Sequence, residues 1–148
     1  MKAQTTATKA SDIKRIWHLM DLREKTLGRV STDIAKLLMG KGKSYFVRNL
    51  DCGDYVVVVN AQQVNVTGKK EQKKTYYRYS GYPGGLSSET FDRLRKRKPE
   101  EIIIHAVKGM LPQNRLRDSM LKRLFVFPDE KHPYEKELKT QNSKLKTQ

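Results

Sequence analysis

The stretch Tyr55-Val-Val-Val-Val59 decides the fold class of this chain. It is continuously apolar and β-branched, without the alternation of apolar and polar residues that a half-exposed strand shows. Strands of this kind are covered on both faces, as in parallel or mixed sheets with helices packed on them. The stretch therefore predicts an α/β fold with a buried central strand.

Two further elements are expected before this strand. Residues 15–20 form a short β-prone run and predict a first strand. Apolar residues then recur at helical spacing from Leu27 to Leu38, with Thr26 placed to cap the helix and Gly40 placed to end it. A strand, a helix and a second strand in this order indicate a sheet that is at least partly parallel.

After the central strand, polar strand-forming residues and helical patterns follow. Residues 75–79 predict a polar strand, and the glycine-rich segment 80–85 behind it cannot be helical. Three helices and a last short strand are then expected, over residues 88–98, 99–110, 114–124 and 125–127. We expect a three-layer α/β architecture in which helices cover a small parallel or mixed sheet, with extended basic loops.

Both ends of the chain are polar. Residues 1–12 have no apolar stretch, and Leu138 and Leu145 are the only large apolar residues of the last segment. We therefore expect a polar N-terminal tail over residues 1–12, a single α/β domain over residues 13–134 and a polar, Lys-rich C-terminal tail over residues 135–148.

The charge balance indicates a polyanionic partner. The 148 residues include 31 Lys and Arg against 16 Asp and Glu, for a formal net charge of +15. A compact chain with this charge repels itself, and a bound polyanion relieves the repulsion. No apolar run approaches the length of a membrane span, and the basic residues are not gathered on one amphipathic helix. We expect nucleic acid as the partner and no membrane.

The basic residues form four clusters, each of which can meet several phosphates. They are Lys41 and Lys43; Lys69, Lys70, Lys73, Lys74 and Arg78; Arg93, Arg95, Lys96, Arg97 and Lys98; and Arg115, Arg117, Lys122 and Arg123. Arg48 is a further candidate on charge alone. One isolated run is more often a solvated face of a helix or loop. Four runs in one small domain favour nucleic acid, bound with release of counterions.

Tyrosines alternate with basic residues just before and within the glycine segment. They are Tyr76, Tyr77, Tyr79 and Tyr82. Their rings offer stacking faces and hydroxyl groups beside positive charge, which is typical of RNA binding. The alternative is that alternate rings pack on the core while the others shield it. Gly81, Gly84 and Gly85 either let the backbone approach a ribose-phosphate chain or serve a sharp turn.

No pattern points to catalysis or to a metal. The single cysteine, Cys52, excludes an intramolecular disulfide and is interpreted as a small packed thiol in a reducing, cytosolic compartment. Residues 40–44 resemble a nucleotide-binding P-loop but have Leu37 where its first glycine is needed. Asp51 and Asp54 are interpreted as turn residues rather than as a catalytic pair. We expect no cofactor, no metal, no small-molecule substrate and no enzymatic activity.

Five blocks of sequence stand in order along the chain. They are Thr26-Leu-Gly-Arg-Val-Ser31 with Gly40-Lys-Gly-Lys43, Asp51-Cys-Gly-Asp-Tyr-Val-Val-Val-Val-Asn-Ala61, Thr67-Gly-Lys-Lys70, Tyr77-Arg-Tyr-Ser-Gly-Tyr-Pro-Gly-Gly85 and Ala106-Val-Lys-Gly-Met-Leu-Pro112. Together they resemble the bacterial large ribosomal subunit protein thirteen family. The resemblance spans residues 16–134.

The resemblance implies an α/β fold and a structural, non-catalytic role in the cytoplasmic large ribosomal subunit, which the family joins early in assembly. The implied partners are large-subunit rRNA and neighbouring large-subunit ribosomal proteins. The matching blocks carry over as rRNA contacts Lys41, Lys43, Lys69, Lys70, Tyr77, Arg78, Ser80, Gly81, Tyr82, Gly84, Gly85 and Lys108. Tyr79 stands where family members commonly have His, and it keeps an aromatic face. The alternatives are an mRNA-binding translational regulator outside the ribosome and an enzyme that acts on nucleotides or phosphates.

Overall fold

The structure is a computed structural model that describes residues 7–139. Its strands are β1 (Trp17–Asp21), β2 (Tyr55–Val59), β3 (Thr75–Tyr79), β4 (Leu86–Thr90) and β5 (Leu124–Val126). Its α-helices are α1 (Leu27–Met39), α2 (Lys70–Lys73), α3 (Phe91–Arg97), α4 (Pro99–Met110) and α5 (Leu116–Leu121). Short 3-10 turns cover Ala10–Asp12 and Ala61–Gln63.

The central sheet is parallel, with the strand order β1-β2-β5. The apolar strand β2 lies in the middle, and Val56, Val57 and Val58 have no exposed surface. Because β2 has a neighbour on each edge and a packed layer on each face, every side chain from Val56 to Val59 is buried. The prediction of a doubly covered central strand in an α/β fold is confirmed.

One face of the sheet packs against the helices. Val56 and Val58 point to this side and share a core with Ile34 and Leu38 of α1 and Ile103 of α4. These five side chains are at most 1% exposed. Removing this much apolar surface from water is the main force that holds the helices on the sheet.

The other face of the sheet carries an aromatic layer. The ring of Trp17 on β1 stacks on that of Tyr55 on β2, with 4.4 Å between centroids. Tyr134, from the segment after β5, lies 5.1 Å from Trp17 and 4.5 Å from Phe125. The segment that follows β5 therefore forms the third layer, opposite the helices.

Helix α1 begins and ends where its sequence predicts. Gly40, just beyond its last residue, has a φ of 73° and donates its N–H to the carbonyl oxygens of Leu37 and Lys36. A Cβ at this position would lie 2.5 Å from the carbonyl oxygen of Cys52. Gly40 therefore serves both the left-handed helix end and the close approach of the segment before β2.

The strands β3 and β4 form an antiparallel hairpin that is separate from the central sheet. This corrects the prediction of a helix over residues 88–98, because residues 88–90 belong to β4 and the helix begins at Phe91. Cross-strand pairing of Tyr77 with Ser88 overrides the helical pattern there. Phe91 and Leu94 do point into the core, as predicted.

The C-terminal part differs in detail from the prediction. Helix α5 is shorter than expected, and β5 begins at Leu124 rather than at residue 125. Residues 135–139 are helical, so the expected polar tail starts with a helical turn. The rest of the two expected tails, residues 1–6 and 140–148, lies outside the described residues.

Among residues 7–139, no helix has the length and apolar character needed to cross a bilayer.

Candidate nucleic-acid interface

The β3–β4 hairpin presents exposed aromatic rings on its outer face. Tyr77, Tyr79 and Leu86 are 69%, 64% and 63% exposed. Leu86 pairs with Tyr79 across the hairpin, and side chains alternate along a strand, so these three share a face. The other positions of this face are Thr75, Ser88 and Thr90, so the face carries aromatic rings and hydroxyl groups but no charge.

Tyr76 points the other way, toward the body. Its ring lies 6.5 Å from that of Phe91 and 5.6 Å from that of His105. The Nζ of Lys74 sits 5.0 Å from the Tyr76 ring centroid, a cation–π distance. Burial raises the pKa of the Tyr76 hydroxyl. The packing alternative therefore holds for Tyr76, which anchors the hairpin, whereas Tyr77, Tyr79 and Tyr82 are exposed and remain candidates for stacking on RNA bases.

The glycine segment closes the hairpin in a tight turn. Gly81 and Gly84 have φ values of 90° and 71°, a region that favours glycine. The N–H of Gly85 donates to the carbonyl oxygen of Tyr82 at 2.9 Å, and that of Ser80 donates to the carbonyl oxygen of Gly85 at 3.1 Å. Tyr82 stands at the tip of this turn and is 75% exposed. The glycines thus serve the turn and hold an aromatic ring at its tip.

Most of the predicted cations are exposed. The exposed ones that make no ion pair within residues 7–139 are Lys41, Arg48, Lys69, Lys70, Lys73, Lys74, Arg78, Arg93, Lys108, Arg115 and Lys122. Their charges have no fixed counter-ion in the described part of the chain. They are therefore available to phosphates at a low cost in broken contacts.

The cluster on α3 is partly paired with acidic residues. Arg95 also donates to the carbonyl oxygen of Gln62 at 2.7 Å and is half-buried. Exposed pairs of this kind stabilise a protein by about 1 kcal/mol or less, so a phosphate can replace the carboxylate. The pairs are Arg95–Glu71, Lys96–Asp92, Arg97–Glu89 and Lys98–Glu101.

Arg123 lies inside the body, which removes it from the candidate interface. It is 7% exposed, and its guanidinium donates to both carboxylate oxygens of Asp51, at 2.5 Å for the Nη2–Oδ1 contact. It also donates to the carbonyl oxygens of Leu38 at 3.2 Å and of Asp54 at 3.3 Å. Arg123 therefore joins the end of α1, the start of β2 and the start of β5. Arg117 is only half-buried, and its buried Nε has no hydrogen-bond partner among residues 7–139.

Lys43 is also turned inward. Its Nζ lies 2.5 Å from Asp54 Oδ1 and donates to two main-chain carbonyls. Asp54 accepts a further hydrogen bond from the Ile16 N–H at 2.9 Å and contacts His18 Nε2 at 3.0 Å. Burial opposes ionisation of Asp54, but these hydrogen bonds outweigh it and hold the pKa of the carboxyl below its ordinary value.

The turn interpretation of Asp51 and Asp54 was therefore incomplete. Each carboxylate holds a cation that was predicted to lie at the interface: Arg123, which is buried, and Lys43, whose side chain is 12% exposed. The signal in the sequence was that two carboxylates stand directly before a buried strand in a chain with few acidic residues. Cys52, between them, is fully buried, as predicted.

Comparisons with known proteins agree with the sequence blocks. The family described as "Ribosomal protein L13" matches residues 15–133. "Large ribosomal subunit protein uL13" of Dehalococcoides mccartyi is 53% identical over 130 residues, which cover 88% of this chain and 91% of that protein. The proteins of the same name from Hahella chejuensis and Aquifex aeolicus are 50% and 47% identical, over 88% and 89% of this chain and 92% of each relative.

Proposed function

The chain belongs to the ribosomal protein L13 family, and on that premise we propose that it is a structural constituent of the large ribosomal subunit that binds large-subunit rRNA. The family membership predicted from the sequence blocks is confirmed. We place the chain in the cytoplasmic ribosome, with rRNA and neighbouring large-subunit proteins as its partners. We take residues 13–134 as the domain that makes these contacts.

The observation that carries this proposal is the set of exposed cations without a counter-ion, in a chain with a net charge of +15. Each contact between such a cation and a phosphate releases condensed counterions, which favours binding. The hairpin adds exposed rings of Tyr77, Tyr79 and Tyr82 on which unpaired bases can stack. The cations that combine this exposure with a place in the family-like blocks are Lys41, Lys69, Lys70, Arg78 and Lys108.

We also propose a role early in assembly, which rests on the resemblance of the sequence blocks to the family. The rigid body of the chain then fixes the relative positions of the RNA segments that it contacts. Recognition rests on RNA shape and unpaired bases, because side chains do not read the deep, narrow major groove of an RNA duplex.

We assign no catalytic role to the carboxylates. Asp51 and Asp54 are held by Arg123 and Lys43 in contacts that join the ends of several elements. Their charges stabilise the body and are not directed at a substrate. The role we propose is therefore structural.

Sedimentation of the tagged chain in cell lysate tests this function. We expect the chain to be nearly stoichiometric with the large subunit in a sucrose gradient and to remain there after a high-salt wash. Recovery in the soluble fraction, bound to messenger RNA, would instead support a translational regulator outside the ribosome.

A further inference from the structure

A small apolar pocket lies between the loop of residues 41–50 and the connection from α4 to α5. Its volume is about 290 Å³. Met39, Phe46, Val47, Leu50 and Met120 form its apolar walls. Pockets for drug-sized ligands begin at about 300 Å³, so this pocket suits a single ring system.

The polar groups at this pocket are two cations and one amide. Lys41 and Arg48 both line it, and both are exposed without an ion pair among the described residues. Asn114 lies on the opposite wall, where its Oδ1 accepts a hydrogen bond from the Leu116 N–H at 3.1 Å. The Asn114 amide nitrogen has no hydrogen-bond acceptor among residues 7–139, so its N–H groups can donate to a ligand.

We propose that this pocket takes the base of one unstacked rRNA nucleotide, with Lys41 and Arg48 on the phosphates that flank it. The proposal rests on the proposed function and adds a defined contact to it. The apolar walls receive the two faces of the base. The Asn114 amide favours a base edge that presents an acceptor.

The combination of groups selects this occupant over others. A free phosphate gains nothing from apolar walls, and an apolar protein side chain gains nothing from two cations. An RNA duplex keeps its bases stacked and does not offer one to a pocket. A nucleotide that is splayed out of a loop or bulge has both an apolar ring and charged phosphates.

Chemical probing of rRNA in large subunits tests the proposal. Subunits that contain the wild-type chain are compared with subunits that contain Val47→Trp, which fills the pocket with a larger side chain. Base-specific alkylating and carbodiimide reagents then report which bases are exposed. Leu19→Trp is the control, because Leu19 is 52% exposed on β1 and does not line the pocket. We expect one base to become reactive with Val47→Trp and to stay protected with Leu19→Trp.

A second variant shows whether the effect of Val47→Trp comes from a filled pocket or from misfolding of the protein. Lys41→Gln combined with Arg48→Gln keeps the apolar walls and removes the charges. We expect it to expose the same base and to bind rRNA about tenfold more weakly, because stacking and its phosphate contacts are lost together.

Unchanged reactivity at every base in both variants would overturn the proposal. Loss of a neighbouring protein without a change at any base would overturn it as well and identify a protein as the occupant. Failure of the wild-type chain to enter subunits refutes the proposed function instead, and the gradient shows this before any probing.

Discussion

Arg123 and Lys43 lie inside the body, each against one aspartate. Taking such charges out of water costs several kcal/mol per ion, and the pairing offsets this only when the remaining donors and acceptors are satisfied. Arg123 meets this condition through Asp51 and two main-chain carbonyls. These residues therefore determine stability rather than RNA affinity.

Replacing Arg123 by Met should lower the free energy of unfolding by about 3 kcal/mol, because the largely buried Asp51 loses both close guanidinium contacts and keeps only Arg15, whose Nη1 lies 3.8 Å from its carboxylate. Urea denaturation measures this. Arg115→Met is the matched control, since Arg115 is exposed without an ion pair in residues 7–139, and it should change stability by about 0.5 kcal/mol or less. An Arg123→Met chain that keeps its stability but loses RNA affinity would return Arg123 to the interface.

Asp54 gives the chain a specific sensitivity to acid. Burial disfavours its ionised form, but hydrogen bonds from His18, Lys43 and Ile16 hold its pKa below the ordinary value of 3.8. A lowered pKa in the folded state means that the carboxylate stabilises the fold above 3.8 and loses this contribution as the pH falls through the folded-state value.

Asp54→Asn should therefore be less stable than wild type at pH 7 and should lose less further stability as the pH falls below about 5. Denaturant unfolding at a series of pH values measures both effects. Asp118→Asn makes the same charge change at an exposed side chain without an ion pair within the described residues, and it should follow the wild-type curve. Parallel curves for Asp54→Asn and wild type would contradict the assigned role of Asp54.

At the scale of elements, the hairpin and the loop before it make separable contributions to RNA binding. Gly84 has a φ of 71° and no atom near its missing Cβ, so a substitution there strains the backbone without a clash. Gly84→Val should change the shape of the turn and lower RNA affinity at every salt concentration, while the slope of log K against log salt stays the same.

Filter or anisotropy titrations at several salt concentrations measure that slope. Gly28→Val is the control, because Gly28 also has open space around it but lies within α1 without a positive φ. A flatter slope for Gly84→Val would show that ionic contacts were lost and that the turn acts through charge.

The segment of Lys69 and Lys70, at the start of α2, should act through charge alone. Lys69→Ala combined with Lys70→Ala should weaken RNA binding and flatten the salt slope by about one to two units, because each phosphate contact contributes about 0.7–0.9. Lys36→Ala combined with Lys139→Ala removes the same charge from two residues that are paired with Asp33 and Glu135 and lie outside the predicted clusters. This control should change the slope less, and equal changes would remove the α2 segment from the interface.

The sequence predicts those elements whose local pattern agrees with their tertiary surroundings. Helix α1 and strand β2 are of this kind, since spacing, the terminal Gly40 and burial all point the same way, although the Thr26 side chain makes no capping hydrogen bond. Strand β4 is not, because Leu86–Thr90 is polar and exposed and becomes a strand only through pairing with β3. The residues of the candidate interface, too, could be predicted only where the local pattern agrees with the tertiary surroundings. Clusters of charge were visible in the sequence, but the side on which Lys43 and Arg123 lie depends on contacts across the fold.

At the scale of the whole molecule, a small sheet with a helical layer and an aromatic layer supports a hairpin that carries its aromatic rings outward. Asp51 and Asp54 form ion pairs with Arg123 and Lys43 within the body, and the surface keeps an excess of positive charge. A body with this surface charge suits a folded polyanion that contacts it at several places. The proposed function therefore depends on the relation between the surface charge of the protein and its affinity for RNA.

Binding of the purified chain to protein-free large-subunit rRNA over a range of salt concentrations tests this relation most directly. We expect log K to fall linearly with log salt, with a slope of several units at about 0.7–0.9 per phosphate contact, and we expect this rRNA to be preferred over an unrelated RNA of equal length. Affinity that does not depend on salt, or equal affinity for the two RNAs, would contradict the proposed function.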